Sequence, residues 1–173
     1  MSSSDWRRGT LVFFVGLALS GGLTGCIQPL YNTMGPGGLE RELQAIKIEP
    51  IPDRFGHYLE KELLFAFNGT GETVPPKYRL VVTLKQKVTV PTIDTVTGRA
   101  TSATVLGDAD FKLYPLGQAQ PSMEGVAFAA AGYDRFSQRV SNVRAAKDAE
   151  TRDAKAMAEQ IRTQIAARMA AGG

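Results

Sequence analysis

The chain of 173 residues holds one cysteine, one histidine and one tryptophan. A single Cys cannot close an internal disulfide, and one Cys with one His cannot build a Cys/His metal cage. The apolar run over residues 11–19 (LVFFVGLAL) is too short for a membrane span, which needs ~20 apolar residues. Charge of either sign is modest: 20 Lys+Arg against 17 Asp+Glu give a net +3, too mild for a dedicated nucleic-acid binder. The sequence has no P-loop, no dinucleotide fingerprint and no metal-ligand cluster. At 43% hydrophobic residues it is too apolar for a disordered tail, and its length suits one domain with a real core.

The start of the chain reads as an export signal. Arg7 and Arg8 form a short positive region, residues 11–19 the apolar region, and Ser20, Gly21 and Gly22 loosen the helix before Leu23-Thr24-Gly25-Cys26. The residues around Arg7-Arg8 fit a twin-arginine signal poorly, which favours the general secretory route. Leu23-Thr24-Gly25-Cys26 resembles the bacterial lipobox. That resemblance implies lipidation of the Cys26 sulfur, cleavage before Cys26 and acylation of the new terminus. Ile27 in place of an aspartate is compatible with delivery to the outer membrane. Removing residues 1–25 takes away Asp5, Arg7 and Arg8 and leaves 18 Lys+Arg against 16 Asp+Glu, a net of +2. Several acyl chains anchor stably where one would be marginal. The expected organisation is a signal peptide over 1–25, a lipid-anchored tether over 26–42 and a folded domain over 43–171.

Within that domain, strand and helix patterns alternate. Residues 27–41 are rich in Gly and Pro and read as tether and loop. Residues 45–51 (AIKIEPI) alternate apolar and polar positions and predict a short strand, stopped by Pro50 and Pro52. Asp53 is the expected N-cap of a helix through Phe67, with Phe55, Leu59, Leu63 and Phe67 as its buried stripe. Residues 77–90 predict a long strand, with Tyr78, Leu80, Val82, Leu84, Val88 and Val90 on one face. A turn over 91–98 leads into a second long strand over 99–116, and residues 122–130 predict a third, alanine-rich one. From Val143 to about Ala170 the pattern is helical, with Ala154, Met157, Ala158, Ile161, Ile165 and Met169 as its stripe. The order β-α-β-β-β-α predicts an α+β fold, two helices on one face of a mostly antiparallel four-stranded sheet.

None of these elements presents a catalytic constellation. His57 has no nucleophile motif near it, and Asp108 and Asp110 read as a solvated strand face. Asp148, Glu150 and Asp153 lie among basic residues and read as ordinary helix ion pairs. The chain is therefore expected not to be an enzyme and to need no cofactor. Arg79, Lys85, Lys87, Arg99 and Lys112 are spread along the long hairpin, and Lys147 opens the last helix. They suit either a soluble sheet face with protected edges or an anionic amphiphile whose phosphates meet the cations.

The lipobox followed by Gln28-Pro29-Leu30-Tyr31 resembles the start of mature lipopolysaccharide-assembly lipoproteins of the LptE family. The first β-α unit, the long hairpin, Tyr133-Asp134-Arg135-Phe136 and Ala146-Lys147-Asp148-Ala149-Glu150 extend that resemblance over most of the chain. It implies an outer-membrane lipoprotein, lipid-anchored on the periplasmic side, that plugs and assists assembly of an LptD-type β-barrel and helps deliver lipopolysaccharide to the outer leaflet. It also implies lipopolysaccharide contact at Lys147, approximately at Arg99, and at Lys85 or Lys87 as substitutes. Nucleic acid is not an expected partner. The competing reading is a periplasm-facing auxiliary lipoprotein of another envelope complex, such as a lipid-transport ABC system. A hydrolase is disfavoured by the lack of a nucleophile–base pair.

Overall fold

The computed structural model describes residues 38–69, 74–90 and 101–171. The signal segment, Cys26 and Arg99 therefore lie outside the described residues. The elements in chain order are α1 (Gly38–Gln44), β1 (Ile46–Ile48), α2 (Asp53–Asn68), β2 (Tyr78–Thr89), β3 (Ser102–Pro115), β4 (Met123–Asp134) and α3 (Arg139–Ala171). The strands form one sheet in the order β1-β2-β3-β4. β1 runs parallel to β2, and the other two pairings are antiparallel. The architecture is the expected α+β one, with a third, short helix added in front.

The core lies between one face of the sheet and helices α2 and α3. Along α2 the stripe Phe55, Leu59, Leu63 and Phe67 is buried as its spacing requires. Each such side chain contributes ~1.5–3 kcal/mol by leaving water. On α3 the buried set includes Ala154, Met157, Ala158, Ile161 and Ile165, and Met169 packs partly buried against the same cluster. The sheet answers with Leu80 and Val82 from β2, Ala109, Phe111 and Leu113 from β3, and Ala127 and Ala129 from β4. Small residues let the helices approach closely. A Cβ on Gly107 would come within 2.9 Å of the Phe55 ring, and one on Gly125 within 2.5 Å of the Phe111 ring.

Local boundaries differ from expectation for identifiable reasons. Gly38–Gln44 is helical, where the Gly/Pro content had suggested tether and loop up to residue 41; Leu39 and Leu43, one turn apart, are buried in the core and hold this single segment in place. β1 is confined to three residues because Pro50 and Pro52 cannot continue a ladder. Asp53 does not cap α2. The cap position falls on Pro52, whose backbone is extended, no side chain bonds the first turn, and Asp53 itself sits at φ +70°. β4 continues through Tyr133 and Asp134, and α3 starts at Arg139, ahead of Val143.

Candidate functional site

The carboxylate of Glu150 is the centre of a polar corner where α2, α3 and β2 meet. Glu150 is 3% exposed. Arg54, from the first turn of α2, donates to it twice, Nε to Oε2 at 3.1 Å and an Nη to Oε1 at 2.6 Å. Gln86, from the helix-facing side of β2, donates Nε2 to Oε1 at 3.1 Å. The hydrogen bond and charge of Glu150 raise the Arg54 guanidinium above its usual value. Three donors offset the cost of burying that carboxylate. This corrects the reading of Glu150 as an ordinary helix ion pair: its partners are 96 and 64 residues away. Of the three acidic residues, Asp148 alone pairs along the helix, with Arg152 at 3.0 Å. Asp153 is 2% exposed, and one of its oxygens has no hydrogen-bond partner. Burial raises its pKa, against smaller lowering contributions from the Ala131 backbone and Arg152.

Lys147 lies three residues before Glu150, on the same side of α3. Its ammonium is 5.9 Å from the Tyr58 ring centroid. Lys85 and Lys87 stand on the other side of the sheet. Strand alternation sends them to the face that none of the described helices covers, with Arg79, Val81 and Thr83. Lys85 pairs with Asp110 at 3.3 Å, in keeping with a solvated strand face. Lys87 lies opposite Leu106 and has no carboxylate partner among the described residues. The three expected contact residues that are described therefore do not converge on one pocket. Lys147 is separated from Lys85 and Lys87 by the sheet, and Arg99 lies outside the described residues, as does Cys26.

The uncovered face has two parts. At the end where β2 begins and β4 starts it is a set of ion pairs: Arg79 with Glu49 at 3.0 Å, and Lys112 with Glu124 at 3.0 Å. Arg79 also lies over the Tyr114 ring at 4.5 Å. Further along β4, after Glu124, it turns apolar, with Val126 57% and Phe128 51% exposed and Leu106 paired with Ala130 beside them.

The two sheet edges are treated differently, which the sequence reading missed. In β4 the even-numbered residues direct their backbone groups away from β3. The Gln160 side chain accepts from the Phe128 N–H at 3.1 Å and donates to its carbonyl at 2.8 Å. Gln164 donates to the Val126 carbonyl at 2.9 Å, and Arg152 to that of Gly132 at 3.0 Å. Residues 152, 160 and 164 recur at multiples of four, so the signal existed, but a polar helical stripe is ordinarily assigned to solvent. On β2 nothing comparable occurs. The Tyr78 N–H donates to Ala45, and the Leu80 carbonyl accepts from Glu49, which fixes even-numbered residues as those facing outward from the edge. β1 ends at Ile48, so Val82, Leu84, Gln86 and Val88 have no backbone partner on that side among the described residues.

No protein-family model matches the chain, and no curated protein matches it. Solved structures do. A chain from Caulobacter crescentus CB15, described provisionally as a lipoprotein, is 20% identical with a TM-score of 0.65, covering 79% of this chain and 98% of that one. A minor lipoprotein from Acinetobacter baumannii is 17% identical with a TM-score of 0.57, covering 72% and 91%. Rare lipoprotein B from Shewanella oneidensis aligns at 12% identity and a TM-score of 0.45. The described domain therefore shares its fold with the Caulobacter and Acinetobacter chains over nearly their whole length.

Proposed function

We propose that the chain is an outer-membrane lipoprotein that plugs an LptD-type β-barrel, assists its assembly and helps deliver lipopolysaccharide to the outer leaflet. The observation that carries this reading is the conjunction of a lipobox ending at Cys26 with an α+β domain of the expected element order. The similar solved chains described as lipoproteins support the anchored part of it. The uncovered sheet face, half ion-paired and half apolar, suits contact with a protein wall better than free solvent. Lys87 and Lys147, which lack carboxylate partners among the described residues, are the cations best placed for phosphate groups, and Lys85 is already neutralised by Asp110.

The test is an affinity pull-down of the full chain from detergent-solubilised membranes, paired with its depletion. Recovery of the barrel and a fall in assembled barrel after depletion are expected. Normal barrel assembly after depletion overturns the reading, and transporter subunits without a barrel point to the auxiliary-lipoprotein alternative. Charge reversal at Lys147 and Arg99 is expected to weaken lipopolysaccharide binding with the fold intact. Cys26→Ala is expected to leave an unprocessed chain that no longer labels with palmitate.

A further inference from the structure

An edge strand with unpaired N–H and C=O groups is a template for another strand, and proteins ordinarily blunt it. This domain blunts one edge and leaves the other. Gln160, Gln164 and Arg152 occupy outward backbone groups of β4 at Val126, Phe128 and Gly132. Pro50 and Pro52 end β1 after three residues, so among the described residues no strand pairs with β2 beyond Leu80 on that side. Val82 is buried, which leaves Leu84, Gln86 and Val88 as the reachable rungs.

Both signs occur beside those rungs, since Lys85 lies opposite Asp108 and pairs with Asp110, but the cations Lys87 and Lys147 have no carboxylate partner among the described residues. Lys87 lies on the uncovered face beside the rungs. On the helix side Gln86 shares a Glu150 oxygen with Arg54, whose side chain is 62% exposed, and Lys147 lies one turn away over Tyr58. The acidic group in this corner, Glu150, is already bonded to Arg54 and Gln86. A strand laid along β2 would send successive side chains to opposite faces, toward Lys87 on one and toward Lys147 on the other. The two cations that no single pocket can share therefore flank one backbone edge.

We infer that the β2 edge at Leu84, Gln86 and Val88 is a docking site for an extended acidic segment of a partner protein, bound by strand addition. Main-chain hydrogen bonds supply the pairing, and the flanking lysines select acidic residues. The inference stands on the edge and its charges, independently of the barrel reading.

The probe is a capped heptapeptide, Val-Glu-Glu-Val-Glu-Glu-Val, whose glutamates fall on both faces of an added strand, compared with the peptide in which lysine replaces each glutamate, on the full chain in detergent at low salt. The glutamate peptide is expected to slow amide exchange at Leu84, Gln86 and Val88 by about tenfold, a factor worth ~1.4 kcal/mol. Phe128, already held by Gln160, is expected not to change. The lysine peptide should give no protection. Val88→Pro removes one outward N–H from the edge and should abolish the effect. Should that variant fail to fold, the pair Lys87→Glu and Lys147→Glu reverses the charges on two surface positions and should transfer protection to the lysine peptide. Absence of protection at saturating glutamate peptide, equal protection by both peptides, or binding without protection of these amides overturns the inference.

Discussion

β3 sends Ala103, Val105, Gly107, Ala109, Phe111 and Leu113 to one side of the sheet and Thr104, Leu106, Asp108, Asp110 and Lys112 to the other. The first set is buried under two helices, and every position there is constrained by volume: Gly107 is small because Phe55 and Met157 come up against it. The second set meets none of the described helices. Its order comes from charges that match across strands, Lys85 with Asp110 and Lys112 with Glu124. The same strand is thus shaped by packing on one face and by charge compensation on the other. Substitutions on the two faces should differ in both size and kind.

The largest contrast is between two phenylalanines. Phe111 is 1% exposed in the core, and Phe111→Ala should cost ~3–5 kcal/mol through lost burial and the cavity left behind. Phe128 stands half exposed on the other face, and Phe128→Ala should stay within ~0.5 kcal/mol. Denaturant unfolding of the full chain measures both. Equal losses would break the distinction between the faces. A normal fold in Phe128→Ala with reduced barrel recovery would sharpen it, by showing that the apolar half of the uncovered face serves a partner.

Next in size is the corner that ties the covered face together. Arg54→Ala leaves Glu150 buried with Gln86 as its remaining donor. Fully enclosed pairs lose ~3–5 kcal/mol on such a deletion; Arg54 is largely exposed and water can reach the gap, so about 2 kcal/mol is expected. Glu150→Gln added to Arg54→Ala should recover most of it, because the uncompensated charge is then gone. A double variant no more stable than Arg54→Ala would show that lost packing, and not stranded charge, sets the loss.

The covered face was legible in the sequence because a helix stripe at four-residue spacing and strand alternation at two are both periodic. Phe55 to Phe67 and the odd positions of β3 could be placed from that alone. The helix Gly38–Gln44 could not, since one turn of Leu39 and Leu43 is too short to carry a period. Alternation also assigned Lys85 and Lys87 to one face, but which face stays bare depends on where α2 and α3 settle, and that is a tertiary fact. Glu150 was misread for the same reason: its helix position looks solvent-facing until Arg54 and Gln86 arrive from distant segments. The lipidation at Cys26 and the contact expected at Arg99 depend on residues outside those described.

A smaller effect separates the two edges. Gln160→Ala removes both bonds to Phe128, at exposed positions, and should cost about 0.5–1 kcal/mol. Its more telling signature is local: amide exchange at Phe128 should rise toward the rate at Val88, making the sealed edge resemble the open one. No acceleration would mean that α3 shields that edge without the glutamine's help.

Asp153 tests whether the covered face tolerates a charge that lacks the corner's three donors. Its carboxyl titrates above the ordinary aspartate value because burial disfavours the ionised form. The folded state therefore holds this proton more tightly than the unfolded chain. The penalty is absent below the ordinary aspartate range, grows as pH rises through that range to the raised folded value, and is constant above it. Asp153→Asn should accordingly be more stable than the parent at neutral pH, by less than the loss expected at Gln160, because Arg152 and the Ala131 backbone already offset part of the cost. The gain should shrink to nothing on acidification through that window. A gain independent of pH would assign the effect to packing at the α3–β4 contact and not to the buried charge.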